Sequence, residues 1–133
     1  MKQHLALTSL LVRDYDEAIE FFVSKLDFVL LEDTFVPAQE KRWVVVSPAG
    51  ANGANESRIL LAEAANDRQA ERVGDQTGGR VFLFLYTDYF WRDYYLYTSR
   101  GVRFVREPKE EPYGTVAVFE DIAGNLWDLL EPK

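Results

Sequence analysis

Apolar residues recur along this chain in two rhythms, and both rhythms appear twice in the same order. LALTSLLV, residues 5–12, is short and apolar throughout, which predicts a buried strand. Asp14 follows, three residues ahead of Glu17. This is a capping-box-like start, in which two carboxyl groups satisfy the free N–H groups of a helix. Ile19, Phe22, Val23 and Leu26 continue at helical spacing and form one apolar stripe. FVLLED, RWVVVS and RILLAE predict three more strands, with AGANGANES as a turn before the last. The second half repeats the series with VFLFLY, a helix opening at Asp88, and then VRFVRE, TVAVFE and LWDLLE. Trp91, Tyr94 and Tyr95 share one face of that helix and read as core or dimer contact.

Sliding the chain against itself by 74 residues sets Leu7 on Val81, Asp14 on Asp88 and Phe28 on Val102. Val44 falls on Val118, Ser47 on Asp121 and Gly50 on Gly124; the loop residues after Gly50 reduce the shift to 68, which pairs Leu60 with Asp128. So many matches in one order predict two copies of one β-α-β-β-β unit. Module one covers about 1–63, a glycine-containing linker about 64–79 and module two about 80–133, together one domain. A sheet covered by one helix leaves its other face bare, so the doubled unit predicts a crevice lined by two open faces.

Composition narrows the chemistry. The net charge of -7 disfavours phosphate backbones and anionic membranes, so no nucleic-acid partner is expected. Cysteine is absent, which removes disulfides, thiolate metal sites and cysteine nucleophiles. His4 is the single histidine, and alternation along a strand would set it on the opposite face from Leu7. No cleavage site or bilayer-length apolar stretch marks the N-terminus; a cytoplasmic location and no membrane association are expected.

The opening LLVRDYDEAIEFFVSKLDF, the ending FEDIAGNLWDLLE and the doubled order resemble the vicinal oxygen chelate superfamily. That superfamily includes glyoxalase I, fosfomycin- and bleomycin-resistance proteins and extradiol dioxygenases. The resemblance implies an α+β, glyoxalase/bleomycin-resistance-like fold and a homodimer. In metal-using members it also implies a divalent ion held by two histidines and a glutamate, acting as a Lewis acid. Carried onto this sequence, the first-strand ligand position falls on Leu7 and its repeat mate on Val81. The closing-strand glutamate position falls on Asp128, and its mate on Leu60. Hydrocarbon side chains offer no lone pair, so no metal or other cofactor is expected.

The crevice is therefore expected to be lined by Leu7, Ser9 and Leu60 from module one, and by Val81, Leu83 and Asp128 from module two. Asp128 reads as a counter-ion for a basic ligand or, if any residue is catalytic, as a general base. The competing reading is a structural ion pair with Arg42, Arg80 or Arg103. Trp43 and Tyr113 are candidates for lining the pocket, with Tyr86 a further flat surface for stacking. Trp127 alternates with Asp128 and belongs to the core. EPKEEP reads as a solvated loop. The expected function is metal-independent binding or sequestration of a cationic or aromatic small molecule. The alternatives are a glyoxalase-like lyase, isomerase or dioxygenase with an atypical centre, and a non-catalytic interaction subunit whose crevice is filled.

Overall fold

A computed structural model describes residues 1–50 and 57–133. Most of the turn expected over AGANGANES lies outside the described residues. The chain divides into two compact units, Met1–Glu71 and Arg72–Lys133. The first holds β1 (Leu7–Val12), α1 (Tyr15–Ile19), β2 (Val29–Val36), β3 (Lys41–Ser47) and β4 (Arg58–Glu63), and α2 (Asp67–Arg72) follows. The second holds β5 (Val81–Tyr86), α3 (Phe90–Ser99), β6 (Phe104–Glu111), β7 (Gly114–Glu120) and β8 (Leu126–Pro132). Each unit forms a four-stranded sheet of the same topology, β1-β4-β3-β2 and β5-β8-β7-β6. In both, the first strand runs parallel to the last and the remaining pairs are antiparallel. The β-α-β-β-β repeat read from the sequence is thus the architecture of the protein.

In the first unit one face of each of β1, β3 and β4 packs into the core, and Val45, on the other face, is buried as well. Leu10, Val12, Val44, Val46, Ile59 and Leu61 are buried, and burying each such side chain contributes roughly 1.5–3 kcal/mol. The Asp14 carboxylate accepts the Glu17 N–H at 3.1 Å, as its spacing predicts. The helix, however, changes winding. After Ile19 it continues as a π-helical stretch, Glu20–Lys25, with Leu26 N–H donating to the Phe21 carbonyl. The wider turn rotates the buried face to Ala18, Phe21, Phe22 and Leu26, leaving Ile19 and Val23 half-buried, and so corrects the simple helical stripe.

In the second unit α3 starts at Phe90, two residues later than expected, and Asp88 pairs with Arg92 at 2.8 Å while the helix start has no side-chain cap from its N-cap residue. Phe90 and Tyr97 form its buried side, whereas Trp91 and Tyr95 are exposed. One anchor is common to both units. Glu131, on β8, accepts the Phe90 N–H at 2.7 Å; Glu63, its repeat mate on β4, accepts the Tyr15 N–H at 3.3 Å. Each closing strand thereby supplies a carboxylate to the N-terminus of its own helix, adding to the Asp14 cap in α1 and standing in for a missing side-chain cap in α3.

The AGNLW signature is a hydrogen-bonded turn built on buried Asp121. Its Oδ1 accepts the N–H groups of Ala123, Gly124 and Asn125 at 2.9–3.0 Å, and its Oδ2 accepts the Trp127 indole N–H at 2.9 Å. Burial pushes this carboxyl above its usual range, against the pull of the Trp127 and Asn125 hydrogen bonds. Gly74 lies against the same turn with φ +81, and a Cβ there would stand 2.2 Å from the Ala123 carbonyl oxygen. Gly74→Ala is therefore expected to lower stability by about 2–4 kcal/mol through backbone clash and strain. A urea denaturation midpoint within error of the parent would refute this.

The EPKEEP segment is a strand rather than a loop. β6 runs through Glu111, and register shifts on either side of Arg106 accommodate Pro108. β6 is the edge strand of its sheet, where a missing N–H is tolerated. Tyr113, 57% exposed, lies in the tight turn that follows.

Candidate functional site

The open face of the second sheet is set by register. Phe84 pairs with Asp128, Asp128 with Val118, and Val118 with Arg106. These four residues form one row straight across the sheet, all on the face opposite buried Trp127. In the next row Tyr86 pairs with Leu130, Leu130 with Val116, and Val116 with Lys109. Phe84 and Tyr86 are 62% and 64% exposed, so two aromatic rings stand free beside Asp128.

Asp128 itself is half-buried. Desolvation pushes its carboxyl above the usual range, and the charge of Arg106 partly opposes this. Two of the three arginines expected from the sequence are paired elsewhere. Arg42 holds Asp16 at 2.9 Å and Asp33 at 2.7 Å, and Arg103 holds Glu120 at 3.3 Å. Among the described residues Asp128 has no ion-pair or hydrogen-bond partner.

Leu83 does not join this face. A register shift between Val81 and Leu83 adds one residue to β5, so Leu83 pairs with Trp127 and Leu85 with Leu129 on the helix-covered side. One extra residue reverses the parity of everything after it. Val81 keeps the open side, and Phe84 takes the place beside Asp128 that alternation had given to Leu83. Strict alternation hid Phe84; its only sequence signal was an unbroken aromatic-rich run with no polar residue to mark a face. The sequence also offered no cue that Arg106 was the facing charge.

The first unit places Leu7, Ser9 and Leu60 on one open face, with Trp43 beside Leu60 two residues along from Val45. Trp43 separates two shallow cavities. One, of about 320 Å³, is bordered by Ser9, Leu60, Tyr15, Glu63 and Gln69; the other, of about 200 Å³, by Leu7, Val45, Glu32 and Arg58. β1 begins only at Leu7, so alternation does not reach exposed His4.

The donor set at the family's metal positions does not fit an imidazole-based centre. Leu7 and Leu60 in the first unit and Val81 in the second are hydrocarbons, and Asp128 alone is a carboxylate. Among the described residues no group of three or more His, Cys, Asp or Glu side chains is placed to hold a metal ion. No helix among them is long and apolar enough to cross a membrane.

Two βαβββ units, each with one helix-covered and one open sheet face, define a small α+β protein of the glyoxalase type. The chain belongs to the Glyoxalase/Bleomycin resistance protein/Dioxygenase superfamily, whose model matches residues 3–129. It is 58% identical over 131 residues to an uncharacterised protein of Shewanella frigidimarina (strain NCIMB 400), covering 98% of this chain and 95% of that one. Its fold is similar to that of UcmS2, with a TM-score of 0.82 and 27% identity over 98% of each chain. It is also similar to TnmS3, an antibiotic binding protein from Streptomyces sp. CB03234. Here the TM-score is 0.77 and the identity 30%, over 99% of this chain and 98% of that one.

Proposed function

We propose that this protein binds a small aromatic, basic molecule without a metal ion and without transforming it. The observation that carries the reading is the unpaired, half-buried Asp128 beside the exposed rings of Phe84 and Tyr86 on one sheet face. A carboxylate in apolar surroundings attracts a cation more strongly than it would in water, and exposed rings supply stacking and cation–π area. The similarity to an antibiotic binding protein supports ligand sequestration.

Isothermal titration against aromatic amines and matched aromatic acids tests this. Amines are expected to bind, and Phe84→Ala is expected to weaken them about tenfold, the loss of one stacked ring of roughly 0.5–1.5 kcal/mol or slightly more. Preferential binding of the acids would refute the reading. So would a stoichiometric divalent ion in the purified protein that disappears in Asp128→Ala. The raised carboxyl of Asp128 also suits a general base, which favours a metal-free enzyme as the second reading. Product formation from a bound amine would select that reading over sequestration.

A further inference from the structure

Asp128 is one end of a charged pair that the sheet holds apart. Arg106 lies two strands away in the same row, with buried Val118 between them. Two strand spacings separate their Cα positions by about 10 Å. Both side chains belong to the same face, and neither has an ion-pair partner among the described residues. The neighbouring row shows the contrast, since its cation, Lys109, is tied to Glu111 at 3.5 Å. Arg103 is likewise occupied by Glu120. Arg106 is the cation on this face that keeps its donors available.

We propose that Arg106 is a specificity-determining residue that, with Asp128, selects aromatic ligands carrying both an ammonium group and a carboxylate, one ring length apart. This rests on the reading of the Asp128 face as the binding surface and deepens it. The ammonium pairs with Asp128, where exposed Phe84 on the neighbouring strand borders it as a cation–π face, the ring spans the strand between the two charges, and the carboxylate takes the planar guanidinium of Arg106. Two parallel N–H donors match a carboxylate better than a single ammonium would. A ligand with both charges gains at both Asp128 and Arg106. One with the cation alone leaves Arg106 in water, and one with the anion alone places a negative charge beside Asp128.

Calorimetric titration at neutral pH with 4-(aminomethyl)benzoate, benzylammonium and 4-methylbenzoate tests this on the full chain. The zwitterion is expected to bind about tenfold tighter than benzylammonium, the gain of one charge-assisted contact, and 4-methylbenzoate weakest. Arg106→Gln is expected to bring the zwitterion down to the level of benzylammonium and to leave benzylammonium within about twofold of its parent value. Arg106 is exposed on an edge strand, so this variant retains the fold. If benzylammonium binds but the zwitterion is no tighter, or if Arg106→Gln preserves the preference, the role of Arg106 is overturned while the basic-ligand reading stands. If neither amine binds, both fall together.

Discussion

Asp121→Ala is expected to bring the protein close to global unfolding, with a stability loss of about 3–5 kcal/mol, the range for leaving several buried donors unsatisfied. The alanine methyl accepts nothing. The Ala123 and Asn125 N–H groups and the Trp127 indole N–H then lose their buried acceptor, while the Gly124 N–H keeps the main-chain carbonyl of residue 121 at 3.1 Å. Domains of this size hold only about 5–15 kcal/mol in all, so the loss removes a large share of the folded population. Asp121→Asn separates shape from acceptance. It keeps one oxygen for the backbone donors but turns an NH₂ toward the Trp127 N–H, so its deficit should fall between parent and alanine. Urea denaturation followed by tryptophan fluorescence reads both variants. Equal stability of all three proteins would mean that the turn holds its shape without the carboxylate.

Asp128→Asn is expected to act in the opposite sense on stability while removing most of the binding. Affinity for an aromatic amine should fall about 10–50-fold at neutral pH, the loss of a charge-assisted contact worth roughly 1.5–3 kcal/mol. The parent should also lose amine affinity on acidification, beginning above the ordinary carboxylate range, because its folded carboxyl is raised by burial. The charges in play on this face are Arg106, which opposes the shift, and Glu120 and Lys109, already paired with Arg103 and Glu111. A group with a raised folded pKa contributes stability below its unfolded value and loses that contribution as pH rises through the folded value. At neutral pH the parent therefore carries the desolvation cost of a charged Asp128. The asparagine variant should melt at the same or a higher temperature, and the difference should shrink in acid. Calorimetric melting across pH, paired with amine titration, checks both halves. A variant that melts lower at neutral pH yet binds normally would make Asp128 a structural residue.

The two residues show how far the sequence carries. Asp121 lies in a motif whose spacing already resembled the family signature, and the structure supplies its chemistry as a local turn closed within six residues. Local geometry of that kind is written in adjacent positions. Asp128 could be identified as the lone carboxylate at the metal positions because composition decides which atoms exist. Its surroundings depended on pairing. The facing rings are Phe84 and Tyr86 rather than Leu83, and the facing charge is Arg106 rather than Arg42, Arg80 or Arg103.

What the sequence determined by itself was the repeat, the order of elements in each unit and the absence of imidazole where the family would place it. These follow from periodicity and from residue identity, which need no partner strand. What only the tertiary structure decided was parity and partnership: the extra residue in β5 that turns Leu83 inward, the shifts in β6 that carry Pro108 along an edge, and the widened winding after Ile19. Strand alternation specifies two faces but not which residue the ladder skips. That choice is made by how a strand fits its neighbour, and a single skipped residue exchanges the buried face for the opposite one.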